Sequence, residues 1–227
     1  MKARLENIRK RIKNAALKCG RNPETIRLVA VSKTMPAERV KTAIEAGVTT
    51  IGENYIQEAR EKFNDLSSFP VSWHFIGHLQ TNKAKYAVRM FDLIQTLDSV
   101  KLAKEIDKQA KKIDKVQSVL LQINIGQEET KSGVDESEVM ALIAEIGQLK
   151  NIAIKGLMTI PPFFNQPELV RPYFKTLSNL RQRIESKALP NVCMDELSMG
   201  MTGDFEVAIE EGATMVRIGT AIFGSRQ

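Results

Sequence analysis

Short apolar, β-branched runs alternate along the chain with longer stretches whose apolar positions recur every three or four residues. Ile26–Lys33, Thr49–Asn54, Ser72–Gly77, Leu93–Leu97, Ser118–Ile125, Ile152–Thr159, Met194–Ser198 and Met215–Gly219 read as strands. Between them lie helical patterns such as PAERVKTAIEAG, VKLAKEIDKQAKKI, ESEVMALIAEIGQL and RPYFKTLSNLRQRIES. Strands that alternate with helices build parallel βα units. Eight such units without a long linker predict a single (β/α)₈ TIM barrel over residues 1–227. An open doubly wound sheet competes on pattern alone, although no GxGxxG follows the first strand. Ahead of the first strand, Leu5, Ile8, Ile12, Ala15, Ala16 and Leu17 fall at helical spacing and predict an extra N-terminal amphipathic helix.

Composition narrows the setting. A hydrophobic fraction of 43% over 227 residues suits a sizeable core. No apolar run reaches the ~18 residues of a membrane helix, and the basic start lacks the apolar segment of a secretory signal. A net charge of +6 raises nucleic acid as a partner. The cations are interspersed with acids on helical segments, however, and no zinc-finger or RNP-type pattern accompanies them, so no specific nucleic acid is expected. Cys19 and Cys193 read as two reduced thiols of a cytoplasmic protein, and no metal site is expected. No conspicuous apolar stripe demands a second copy, and the residues alone leave the oligomeric state open.

A barrel places its chemistry at the C-terminal ends of its strands and often holds phosphate after strands seven and eight. Strand one ends in Lys33 after an apolar run. A lysine there either snorkels to the rim or, desolvated, becomes a nucleophilic amine suited to Schiff-base chemistry. Strand seven runs into Ser198, Met199, Gly200, Met201 and Thr202 before a helical pattern over Asp204–Glu211, and strand eight into Arg217, Gly219 and Thr220. Glycines beside hydroxyls at those two positions suit an anion, though each segment alone also fits ordinary turn and cap chemistry. Together with the lysine they favour a phosphorylated aldehyde. Asn54, closing strand two, could bond a ring hydroxyl. His74 is expected near the ligand and His78 at the surface. Met158, ending strand six, is counted among the candidate cofactor-binding residues, although a methionine there is more often a packing residue.

AVSK at 30–33, IGENYIQEA at 51–59, WHFIGHLQTNK at 73–83, GLMTI at 156–160, LSMGM at 197–201 and VRIGTAIFG at 216–224 resemble the YggS/PROSC-like pyridoxal phosphate homeostasis proteins. Thr202 stands where a serine is common, which keeps the hydroxyl. The resemblance implies a fold like the alanine racemase N-terminal domain and pyridoxal 5′-phosphate as cofactor, held as a Schiff base on Lys33. It implies that Ser198, Gly200, Gly219 and Thr220 hold the phosphate, that Met199 and Met201 shape that loop, and that Asn54 and Arg217 face the ring. Arginine stays protonated, so opposite the ring nitrogen it would leave a weak electron sink. The racemase family is thought to use an arginine too, so this alone does not decide. After Gly224 only Ser225, Arg226 and Gln227 remain, and the racemase's second domain is not expected. None of Tyr55, Tyr86 and Tyr173 is obviously placed as an opposite-face base. The expectation is therefore a carrier in vitamin B6 homeostasis that stores, transfers or sequesters the cofactor. Its partners would be pyridoxal phosphate-dependent apoenzymes, and no residue is assigned a catalytic role. A low-turnover amino-acid enzyme such as a racemase is the alternative.

Overall fold

Eight strands pair in chain order, each parallel to the next, and the last returns to the first. They are β1 (Arg27–Val31), β2 (Thr50–Glu53), β3 (Ser72–Phe75), β4 (Leu93–Leu97), β5 (Gln117–Gln122), β6 (Ile152–Met158), β7 (Val192–Ser198) and β8 (Met215–Ile218). Closure runs through the register Arg27↔Met215, Leu28↔Val216, Val29↔Arg217 and Ala30↔Ile218. The sheet is thus a closed barrel, and the open doubly wound arrangement is excluded. This is a computed structural model, and it describes residues 1–126, 132–189 and 191–224. Ser225, Arg226 and Gln227 lie outside the described residues.

Around the barrel stand α1 (Lys2–Lys18), α2 (Ala37–Glu45), α3 (Ile56–Leu66), α4 (Ala84–Met90), α5 (Val100–Lys111), α6 (Val139–Ile146), α7 (Arg171–Glu185), α8 (Phe205–Glu210) and α9 (Thr220–Phe223). The expected N-terminal helix is α1. Its buried face, Leu5, Ile8, Ile12, Ala15 and Ala16, follows the three- and four-residue spacing, whereas Leu17 is exposed. Arg11 bonds Glu206 of α8 at 2.7 Å and lies 4.5 Å from the Phe205 ring centre.

Strands of a parallel barrel are covered on both faces, which is why they read as nearly continuous apolar runs. The outer faces join the helices in one large core. Inside the barrel, Val29, Leu93, Leu120, Met158 and Met215 form a small apolar layer. Strand ends differ from the sequence expectation in informative ways. β1 stops at Val31 because Ser32–Met35 turns, so Lys33 leaves the strand. β2 stops at Glu53, leaving Asn54 just beyond it, and β8 stops at Ile218, so Gly219 caps α9. β7 begins at Val192, and β5 ends at Gln122, after which Ile123 bridges to Val134. Among the described residues, no helix is long and apolar enough to cross a membrane. Cys19 and Cys193 are free and exposed.

Candidate functional site

Inward-facing residues of a strand alternate, so two positions past the apolar layer the barrel presents a second layer, and here it is polar. On β8, Met215 is followed by Arg217; on β4, Leu93 is followed by Gln95; β7 contributes Ser198 and β3 contributes His74. All four are buried. One Arg217 amino group donates to Ser198 Oγ at 2.7 Å, and the other donates to the Thr159 carbonyl at 2.8 Å. The Ser198 hydroxyl donates to Gln95 Oε1 at 2.6 Å, and Gln95 Nε2 lies 2.9 Å from His74 Nδ1.

The protonation of this chain follows from its chemistry. Guanidinium can only donate, so Ser198 must pass its own proton to the Gln95 oxygen, and the Gln95 amide then donates to His74. His74 Nδ1 is therefore an acceptor and the ring is neutral. Burial, reinforced by the Arg27 charge, accordingly lowers the His74 pKa to about 3. Arg217 is only 4% exposed, and burial lowers its pKa to about 10, so it stays charged at neutral pH. Among the described residues no carboxylate lies within ion-pair distance of it. Asp204, farther off, offsets part of the desolvation.

Above this layer the loops after β7, β8 and β1 form one continuous arc of the rim. Arg217 N–H donates to the Gly200 carbonyl at 3.0 Å, which seats the β7 loop on β8. Gly200 has φ +91°, and a Cβ there would come within 2.6 Å of the Ala208 Cβ, so the loop can lie this close to α8 only as glycine. The Met201 N–H is taken by Asp204 Oδ1 at 2.6 Å, and the Thr220 and Thr202 hydroxyls lie 3.3 Å apart across the two loops. A Cβ on Gly219 would sit 3.2 Å from the Val31 carbonyl, which brings the β8 loop against the end of β1, two residues before Lys33. Lys33 itself is half-buried in the turn.

The rim continues past β2 and β3. Asn54 Oδ1 is buried and has no hydrogen-bond partner among the described residues. It lines a recess of about 260 Å³ together with Ile76, Gly77, His78, Gln122, Ser132 and Ile160. Exposed His78 lies 3.2 Å from the Ser132 hydroxyl.

Lys33, Asn54, Gly200, Met201, Gly219 and Thr220 thus gather at the C-terminal end of the barrel, with Arg217, His74 and Ser198 in the layer beneath. Two expected residues do not reach the mouth. Met158 belongs to the apolar layer and Met199 to the outer core, and both are fully buried. Ser198 is at the right strand end, but its hydroxyl turns inward to Arg217 and Gln95, away from any anion above the rim. Sequence reasoning missed Gln95, Thr159 and the buried pair Glu53–Lys62. A glutamine inside the apolar run LIQTL was a legible signal. Lys62, four residues after Glu58, looks like a solvated helix pair and gave none. No group of three His, Cys, Asp or Glu placed to hold a metal occurs among the described residues.

A closed barrel with a cationic floor and a hydroxyl- and glycine-rich rim beside a lysine belongs to the class of barrels represented by the alanine racemase N-terminal domain, whose sequence profile matches residues 3–227. A pyridoxal phosphate homeostasis protein of Aquifex aeolicus (strain VF5) is 46% identical over 224 residues, covering 99% of this chain and 97% of the relative. Its counterpart in Escherichia coli (strain K12) is 41% identical over 229 residues, covering 98% and 95%. The solved structure of PipY from Synechococcus elongatus PCC7942 with pyridoxal phosphate bound is 34% identical, with a TM-score of 0.83, covering 96% of this chain and all 100% of that one. The chain belongs to the pyridoxal phosphate homeostasis protein family.

Proposed function

We propose that residues 1–227 act as one unit that binds pyridoxal 5′-phosphate on Lys33 and holds it for storage, transfer or sequestration in vitamin B6 homeostasis. The observation that carries this reading is the arc from β7 through β8 to β1, which sets a lysine beside two glycine- and hydroxyl-bearing loops over a buried arginine. The residues fit the group. Gly200, Gly219, Thr202 and Thr220 offer close backbone approach and hydroxyl donors to a phosphate, and Asn54 offers a buried oxygen that lacks a partner. Arg217 brings a cation that no carboxylate neutralises at ion-pair distance among the described residues. When bound, the cofactor supplies an aldehyde that condenses reversibly with an amine. Ser198 then serves indirectly, by fixing the guanidinium of Arg217.

The same polar layer supports a carrier rather than a catalyst. His74 is held neutral as an acceptor with its pKa near 3, so it does not exchange protons at neutral pH. Tyr86 lies against Arg60 and Lys85, and Tyr173 against Phe164, each in contacts of its own. We place the protein in the cytoplasm, as a monomer that delivers its cargo to pyridoxal phosphate-dependent apoenzymes.

The test is the visible absorption of protein loaded with pyridoxal phosphate, followed by borohydride reduction and peptide mapping. The expected result is a yellow protein whose reduced adduct maps to Lys33. A protein that cannot be loaded, or whose adduct maps elsewhere, overturns the assignment. Steady amino-acid product formation beyond that of free cofactor overturns the carrier role.

A further inference from the structure

The turn that carries Lys33 is held in a conformation its residues resist. Met35 N–H donates to the Ser32 carbonyl at 3.0 Å and closes a β-turn over Ser32–Met35. The third residue, Thr34, has φ +64°, a left-handed conformation that suits glycine and disfavours a β-branched side chain. Such a conformation persists only where the surroundings over-determine it.

Here the surroundings are side chains of α3 and the end of β2. Lys62, 5% exposed, donates from Nζ to the Ser32 carbonyl at 2.7 Å and to Glu53 Oε1 at 2.7 Å. The same Glu53 oxygen accepts the Ser32 hydroxyl at 2.5 Å. Glu58, one helical turn before Lys62, accepts the Thr34 N–H at 2.8 Å and lies 3.7 Å from Lys62 Nζ. The peptide carbonyl before Lys33 and the peptide amide after it are thus both gripped from one helix. An ion pair buried this completely is weak evidence of general stabilisation, because desolvating two charges offsets much of their attraction. Its geometry serves the turn instead.

We propose that Lys62, together with Glu53 and Glu58, is a positioning device for Lys33. It holds the strained turn so that the Lys33 amine is presented to the mouth, and it thereby sets how fast the held cofactor exchanges with other amines. The inference rests on the reading of Lys33 as the attachment point.

The experiment compares wild type, Lys62→Met, Thr34→Gly and the double variant. The first readout is backbone hydrogen exchange of residues 32–35 in the cofactor-free protein. The second is the rate at which hydroxylamine displaces pyridoxal phosphate: its nitrogen replaces that of Lys33 on the aldehyde carbon, and Lys33 is returned as an amine. Lys62→Met should speed turn exchange and displacement by about tenfold, the scale of backbone strain of this kind. Glycine adopts φ +64° without strain, so in the Thr34→Gly background the same substitution should change displacement by less than about threefold. Should Lys62→Met fail to fold, Glu58→Gln, which weakens the grip on the Thr34 amide alone, should give a smaller acceleration in both readouts. Asp107→Ala, which releases Asn151 ahead of β6 at the opposite end of the barrel, is the control for general loosening and should leave displacement unchanged.

Equal acceleration with and without Thr34→Gly, or the same acceleration from Asp107→Ala, overturns the positioning role. So does unchanged displacement in Lys62→Met while the wild-type adduct maps to Lys33. A wild-type adduct that maps to another lysine overturns the attachment reading and the proposal with it.

Discussion

Two arginines mark the difference between the outer brace of the barrel and its mouth. Arg171, at the start of α7, meets Glu168, Glu210 and Glu211 at 2.7, 2.6 and 2.7 Å, and these partners raise its pKa. Arg217, in the barrel, bonds a serine hydroxyl and a backbone carbonyl, and burial lowers its pKa to about 10. The same contrast holds for their neighbours. Beside the brace, Arg11 pairs with Glu206 and Lys18 with Glu210, while around the mouth lie an unpartnered Asn54 oxygen and a threonine at positive φ. Neither kind of group is confined to the mouth, since Gln117 Oε1 and Arg181 Nε are also buried without a partner among the described residues, and Asp114, Ala188 and Asn191 also have positive φ ahead of β5 and β7. What separates the two regions is charge: the brace neutralises its arginine with carboxylates, and the mouth leaves its arginine to neutral acceptors.

The largest expected effect tests the brace. Ile8→Ala removes a side chain 1% exposed and should cost about 2–5 kcal/mol by chemical denaturation, with the affinity for pyridoxal phosphate unchanged. A loss of affinity in the folded fraction would break the separation of the two regions.

Next comes the acid limb of stability. The folded His74 pKa of about 3 lies below its ordinary 6.5, so the unfolded chain binds the extra proton first and stability falls as pH drops through 6.5. At pH 4 the loss from this one group amounts to roughly 3 kcal/mol. His74→Gln, which keeps an acceptor for Gln95 but does not titrate, should flatten that part of the stability–pH curve.

Arg217→Met should lower cofactor affinity by about tenfold or more, while the cofactor-free protein melts no lower than wild type, because a buried cation without a carboxylate partner is replaced by an apolar chain. The smallest effect is expected from Arg171→Ala. Its loss at the half-exposed brace should cost about 1 kcal/mol and leave cofactor binding untouched, and salt should weaken the wild-type pairing further.

Much of the architecture was legible because the barrel imposes two periods on the chain. Doubly buried strands had to be apolar throughout, and helices covering them had to be apolar on one face, so eight βα units stood out in chain order. Their ends were less legible. Ser32 and Lys33 extend the run of β1 in sequence, yet a turn bound to Lys62 intervenes, and nothing in the sequence announces that bond. The strand-end residues were found because glycine, hydroxyl and lysine are unusual there. Side-chain direction was not encoded in the same way. Whether Ser198 faced an anion or Gln95, and whether Met199 faced the mouth or the core, depended on the pleat and on partners one hundred residues away. Gly200 illustrates the overlap: it reads as a phosphate-loop glycine, but its contact with Ala208 would demand glycine in any case.

The closing seam between β1 and β8 gives the molecule a kind of built-in proofreading. The turn bearing Lys33 lies early in the chain, whereas Gly219 and Thr220 come nearly last. The two halves of the arc meet only when the final strand docks on the first. A ligand that needs both ends of the arc therefore distinguishes a closed barrel from any shorter or slipped one, and its occupancy reports on the integrity of the whole ring.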